Sequence, residues 1–246
     1  MLHTLYKVYF WLVVMPVFAI ITMLTAIIVA AGCLSGGEKF FSYYPGMLWA
    51  RIACVLSLCP VKIKGRENIR KGQSYVFVSN HQSAYDIFLI YGYLGAPIKW
   101  MMKKGLAKIP LVGFACRMAG FTFVDNSSAR SAHKSVRQAE LNLKHGRSLI
   151  IFPEGSRSPD GHLKRFKRGA YQIAVDKQQP IIPITLNGPF KVMPTSSWDV
   201  RPHRMEMIIH PPVMPHKKEN DDKEALQKLV DATQKTIFSA LWDEFK

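Results

Sequence analysis

At 246 residues the chain is long enough to bury a sizeable core, and it reads as one main domain behind an apolar leader. Its 33 Lys and Arg against 17 Asp and Glu give a formal net charge of +16, which calls for an anionic partner: a membrane surface, a nucleic acid or a phosphorylated substrate. The four cysteines, Cys33, Cys54, Cys59 and Cys116, have neither Cys-x-x-Cys spacing nor a histidine cluster nearby, which excludes a zinc site and a disulfide framework and leaves reduced thiols in apolar surroundings.

Taken in chain order, the apolar residues concentrate first at the front. No charged side chain occurs from Val8 to Gly37, and WLVVMPVFAIITMLTAIIVAAG is long enough to cross a hydrocarbon layer of about 30 Å. It exceeds the apolar core of a cleaved signal peptide, roughly 7 to 15 residues, so it is expected to be a membrane anchor. Tyr43 to Cys59 is again apolar apart from Arg51, and reads either as a second, shorter membrane-embedded helix or as an amphipathic helix in the interface. Lys62, Lys64, Arg66, Arg70 and Lys71 follow, a basic flank suited to anionic headgroups that places the rest of the chain on the cytoplasmic face. Residues 1–60 are thus expected to be the membrane region and 61–246 the main domain.

Beyond residue 65 short β-branched or aromatic runs alternate with helical patterns. Strands are expected at Tyr75–Ser79, Ile98–Met102, Phe121–Val124, Ser148–Phe152, Pro180–Leu186 and Met205–Ile209. Helices are expected at about Tyr85–Leu94, Leu106–Ala119, Ala129–Lys144 and Lys167–Lys177, with an amphipathic tail helix from Asp221 to Phe245 that starts on the acids Asp221 and Asp222. This is an α/β pattern: a mixed, mostly parallel sheet covered by helices, with functional loops at the carboxyl ends of strands.

Two such loops carry chemistry. In VSNHQSAYDIF, His81 follows a strand and Asp86 lies five residues on. Five residues within one helix stand about 140° apart, so the two side chains meet only if His81 precedes the helix and Asp86 sits in its first turn. Two readings stay open on this stretch alone: an imidazole held by a carboxylate so that it takes a proton from a hydroxyl, or a capping box with Ser83 at the N-cap and Asp86 at N3. In FPEGSRS, Pro153 stops a strand, Gly155 turns the chain, and Glu154 and Arg157 project from a polar loop, the arginine as a fork for phosphate. Lys164, Arg165, Lys167 and Arg168 add a basic cluster just after it, suited to an anionic substrate or to a solvated helix face.

NHQSAYD, KKGLAKIPLVG, FPEGSRS and PIIPITLNG, in this order, resemble the four sequence blocks of the lysophosphatidate acyltransferase family, the 1-acyl-glycerol-3-phosphate O-acyltransferases of phospholipid synthesis. The resemblance implies that His81 is the general base toward the acceptor hydroxyl and that Asp86 orients it. It implies that Glu154, Gly155, Ser156 and Arg157 bind the glycerol phosphate, with Lys104 in an acceptor-binding block, and that Pro110, Gly113, Ile182 and Pro183 line the acyl pocket. It implies no metal and no cofactor beyond an acyl-CoA or acyl carrier protein thioester as co-substrate, with the bilayer and its anionic lipids as partners and no nucleic acid. One position departs: where the family commonly closes "FVDR", this chain has Phe123-Val124-Asp125-Asn126, which puts acceptor identity in question and leaves Arg130, one helical turn on, to reach the same anion. A glycerol-3-phosphate or other lysophospholipid acyltransferase is the nearest alternative, and a non-catalytic lipid-binding protein at the membrane surface is the alternative from another class.

Overall fold

The computed structural model describes residues 2–125, 129–140, 143, 147–215 and 223–246. The Asp221 and Asp222 helix start and Asn126 lie outside the described residues, as does the side chain of Arg130.

The front of the chain is one helix, α1 (Leu2–Leu34), with a mean hydropathy of 2.8, long and apolar enough to cross a membrane. Its third turn widens to a π-helix at Phe10–Val14, just ahead of Pro16, whose ring would clash with the carbonyl four residues back in a regular helix. One stripe of α1, Tyr6, Phe10 and Val14, packs into the protein, while Leu5, Trp11, Leu12, Ile20, Leu24 and Ile27 on its other faces are exposed. Polar ties hold it to the globular body along its length. Lys7 pairs with Asp199 (3.1 Å), the Tyr6 hydroxyl donates to the Ser57 carbonyl (3.0 Å), and Trp49 Nε1 donates to Thr22 Oγ1 (2.9 Å). After a turn of helix at Glu38–Phe41, α2 (Tyr44–Leu56) packs beside it.

Among the described residues seven strands form one sheet: β1 (Val61–Lys64), β2 (Val76–Ser79), β3 (Ile98–Lys103), β4 (Thr122–Val124), β5 (Ser148–Ile151), β6 (Ile181–Asn187) and β7 (Met205–Ile209). Their order is β1-β7-β6-β2-β5-β3-β4. β2 to β6 run parallel, and β7, antiparallel to β6, turns the edge pair β7 and β1 against them, so the sheet is mixed and mostly parallel as the alternating pattern implies. The helices between the strands are α3 (Tyr85–Tyr93), α4 (Val112–Met118), α5 (Ala129–Glu140) and α6 (Gly169–Lys177), and α7 (Lys223–Ser239) closes the chain.

Strand alternation sorts the core into two layers. Tyr75, Phe77, Ile150, Ile182 and Ile184 point to the face covered by α1, α2 and α3, where Tyr6, Phe10, Ala50, Cys54, Leu89 and Ile90 meet them. Val76, Val78, Leu149 and Ile181 point to the other face, against Ala139 of α5, Tyr171 and Ile173 of α6, and Leu229, Val230 and Ile237 of α7. Each such Leu or Ile, fully buried, contributes about 1.5–3 kcal/mol.

Three expectations change. Val61–Lys64 is an edge strand, with Lys62 and Lys64 on its exposed side and Lys64 paired to Glu206 at 2.8 Å, where the sequence suggested a flank for headgroups; lysines on an edge strand also discourage edge-to-edge pairing. The helix expected over Leu106–Ala119 is broken: a 3₁₀ turn at Lys104–Lys108 leads to Pro110, and Leu111 sits at φ 59° before α4 begins. The tail helix ends at Ser239, and a 3₁₀ turn at Asp243–Phe245 tucks Phe245 against the body.

Candidate active site

β2 ends at Ser79, and the chain then turns over the carboxyl edge of the sheet before entering α3 at Tyr85. Asn80 fixes this exit by copying a strand pairing: its Nδ2 donates to the Leu186 carbonyl (2.9 Å) and its Oδ1 accepts from Leu186 N–H (2.8 Å). His81 comes next and is held on every side. Its Nδ1 donates to Asp86 Oδ2 (2.7 Å), its N–H to Glu154 Oε1 (2.8 Å), its carbonyl accepts from Ser158 N–H (2.8 Å), and its ring stacks on Phe152 at 3.9 Å and 11°. With Nδ1 engaged, Nε2 carries the free lone pair.

Asp86 is fully buried in the first turn of α3, where the helix dipole favours a negative charge. Its Oδ2 also accepts from the backbone N–H of Gln82 (2.6 Å) and Ser83 (2.8 Å). The cap and the pair are therefore one device. The helix starts one residue later than the capping-box spacing implies, with Ala84 at the N-cap; Ser83 Oγ accepts from Tyr85 N–H (3.2 Å) and donates to the Met193 carbonyl (2.7 Å).

The second loop follows β5. Glu154 is buried and each carboxylate oxygen takes a backbone N–H, His81 on Oε1 and Lys164 on Oε2 (3.2 Å), so its side chain stitches three loops together. Burial pushes its carboxyl up to about 7, against the two backbone donors and the Lys164 charge, which pull it down. Gly155 has φ 79°, and a Cβ there would lie 2.7 Å from Lys167 Nζ. Ser156 Oγ accepts from Lys164 Nζ (2.6 Å), which also donates to the Arg157 carbonyl (3.1 Å). The Arg157 side chain is exposed.

The remaining expected site residues do not gather at this point. Lys104 pairs with Asp125 (2.8 Å) beyond the ends of β3 and β4. Pro110 is exposed, and Gly113 is buried against the Ala107 carbonyl with no room for a Cβ. Ile182 and Pro183 lie inside β6, three strands away from β3, about 14 Å at the usual spacing. Sequence reasoning passed over Phe152, which packs on the imidazole, and Thr195, whose hydroxyl donates to the carbonyls of Gln82 (3.1 Å) and Ser158 (2.8 Å). Phe152 opens the FPEGSRS block, so its place next to the loop was available as a signal; Thr195 carries no local signal.

A parallel sheet whose carboxyl edge bears a carboxylate-held imidazole beside an arginine loop defines an α/β fold able to activate a hydroxyl for group transfer. The family model described as Acyltransferase matches residues 60–187, more than half of the chain, and the chain belongs to this family. It is 35% identical over 197 residues to the chloroplastic 1-acyl-sn-glycerol-3-phosphate acyltransferase LPAT1 of Arabidopsis thaliana, covering 79% of this chain and 55% of that protein. It is 30% identical over 168 residues to the 1-acyl-sn-glycerol-3-phosphate acyltransferase of Pseudomonas aeruginosa, covering 66% of this chain and 64% of that one. The chain thus spans little more than half the length of the Arabidopsis relative. The crystal structure of the 1-acyl-sn-glycerophosphate (LPA) acyltransferase PlsC from Thermotoga maritima superposes with a TM-score of 0.78 at 28% identity, covering 98% of both chains.

Proposed function

We propose that this protein transfers a fatty acyl group from a coenzyme A or acyl carrier protein thioester to the sn-2 hydroxyl of lysophosphatidate, making phosphatidate at a membrane surface. The observation that carries the reading is the His81–Asp86 contact at 2.7 Å, which leaves Nε2 as the base. Nε2 takes the hydroxyl proton while the hydroxyl oxygen attacks the thioester carbonyl carbon. The tetrahedral intermediate collapses with cleavage of the C–S bond, and the imidazolium returns its proton to the leaving thiolate. The Asp86 carboxylate, fully buried beside the ring, stabilises the imidazolium between these steps. Arg157, exposed and without a side-chain partner among the described residues, meets the acceptor phosphate through its planar fork. The names of the relatives support lysophosphatidate as acceptor. The apolar outer face of α1 supports membrane association.

Purified protein in detergent, given lysophosphatidate and acyl-CoA or acyl carrier protein thioester, is expected to form phosphatidate and release one thiol per turnover; the His81→Ala variant loses that activity while still binding lysolipid. No phosphatidate from either donor sinks the acceptor assignment. Asn126 in place of the family's arginine favours a second reading, acylation of glycerol 3-phosphate or another lysophospholipid, and product analysis across these acceptors decides between them.

A further inference from the structure

A groove of about 500 Å³ opens on the surface between Arg165, Phe166, Lys167, Arg168 and Gln227, a volume within the ~300–1,000 Å³ of small-molecule sites. We propose that this groove receives the phosphorylated adenosine end of a coenzyme A thioester. The proposal rests on the reading of the protein as a thioester-dependent acyltransferase, and it assigns the donor and its seat.

The cations are the first argument. Arg165 and Lys167 are exposed, and neither side chain has a hydrogen bond or ion pair among the described residues. Arg168 is held by its Nε on Gln227 Oε1 (2.7 Å), which fixes a guanidinium plane at the groove wall. Three cations within four residues match a compact polyanion with a 5′-diphosphate and a 3′-phosphate, and a held guanidinium stacks on a purine. The acidic helix of a carrier protein would need its cations spread along a longer face.

The second argument is which side of the sheet the groove occupies. Phe166, buried beneath it, belongs to the core layer with Val76, Val78, Tyr171 and Leu229, whereas α1 and α2 cover the opposite layer. The groove thus lies on the face of the sheet opposite the apolar helices, open to a soluble nucleotide.

The third argument is the connection to the base. Lys164 N–H donates to Glu154 Oε2 (3.2 Å), whose other oxygen accepts from His81 N–H, and Lys167 N–H donates to the Pro153 carbonyl (2.9 Å). The segment that carries the cations is therefore fastened to the catalytic loop itself. A pantetheine arm leaving the groove runs along this segment toward the carboxyl edge of the sheet, where His81 stands.

The test is titration calorimetry of the full chain in detergent with adenosine 3′,5′-bisphosphate, together with steady-state kinetics. The wild type binds the bisphosphate, and Arg165→Gln/Arg168→Gln weakens that binding at least about tenfold. The same double change raises KM for acyl-CoA by a similar factor, leaves KM for the acceptor and kcat in place, and erases the advantage of acyl-CoA over its 3′-dephospho analogue. Thermal unfolding checks that the variant is folded, as two exposed side chains allow. The proposal is overturned if the wild type does not bind the bisphosphate, if the acceptor KM rises as much as the donor KM, if binding to anionic vesicles falls in place of donor affinity, or if only an acyl carrier protein thioester supports turnover. Bisphosphate binding does not involve the acceptor, so a failure to acylate lysophosphatidate leaves the groove assignment standing and removes only the acceptor.

Discussion

Asp86 serves three donors through one oxygen: the His81 ring and two backbone N–H groups. Asn at this position keeps an acceptor oxygen for all three and removes the charge that stabilises an imidazolium, so Asp86→Asn is expected to fold and to lose about 10²-fold or more in kcat. Asp86→Ala strands the same donors in a buried site and is expected to cost about 2–3 kcal/mol of stability as well. Equal kcat for wild type and Asp86→Asn would show that the charge plays no part. Glu154 gives a pH signature. Its carboxyl, raised by burial to about 7 from the usual value of about 4.3, keeps a proton in the folded state that the unfolded chain has already released in that interval. Its contribution to stability is therefore full below about pH 4 and is lost as pH rises to about 7, on the order of 3 kcal/mol. Glu154→Gln is expected to flatten that interval in urea unfolding measured at pH 4.5 and 7, and to lower kcat about tenfold, because an amide oxygen cannot accept from both His81 and Lys164. An unchanged pH slope removes Glu154 as its source. The spacing of His81 and Asp86 allowed either a pair or a helix cap, and it was the resemblance of the other three blocks that implied the pair. The stitching by Glu154 was not legible, since its partners are backbone groups brought from Lys164 and from another strand.

At the scale of elements, Glu38 fastens the connection between α1 and α2 to the amino end of the sheet. Its Oε1 takes Lys99 Nζ (3.1 Å) and Arg147 Nη1 (3.0 Å), and Lys99, buried near the start of β3, also donates to the Ala119 carbonyl. Burial lowers the Lys99 pKa while Glu38 holds it charged. Removing the acid leaves that ammonium buried without its counter-ion, so Glu38→Ala is expected to cost about 2 kcal/mol, discounted because Glu38 itself is partly exposed. Adding Lys99→Met in that background recovers most of the loss in a double-mutant cycle; additive losses would mean that the two side chains do not interact. Lys99 shows why some of the fold was readable and some was not. Of the six strands found from β-branched runs, five lie inside the sheet and β4 ends it on the far side, and their apolar content announces them. β1 reads VKIK, so its lysines masked a strand that exists only because β7 offers an edge to pair with. The break at Pro110 and Leu111 was visible as a proline, but an apolar run on both sides argued for continuity until tertiary packing decided otherwise.

For the whole molecule the decisive feature is that α1, about 50 Å long, is tied to the globular body at both ends and along its middle. Lys7 meets Asp199 near its amino end, and Ala26 and Val29 pack on Ala115 of α4 and on Ala119 just past it near its carboxyl end. A helix so fastened leaves a lengthwise apolar edge exposed, Leu5, Leu12, Ile20, Leu24 and Ile27, and we propose that this edge is what a bilayer meets. Binding of this kind rests on buried apolar area with a smaller electrostatic part from the net charge of +16. Leu12→Asp/Ile20→Asp removes two side chains worth about 1.5–3 kcal/mol each when buried, and neither touches the core. Its partition into anionic vesicles is expected to fall at least about 100-fold, whereas raising salt from 0.1 to 1 M weakens the wild type by much less. Turnover of short-chain, soluble acceptor and donor is expected to stay the same in the variant, because the His81 loop is on a separate element. Vesicle binding that survives the double substitution but vanishes in high salt would show that charge, and not the α1 edge, holds the protein to the membrane.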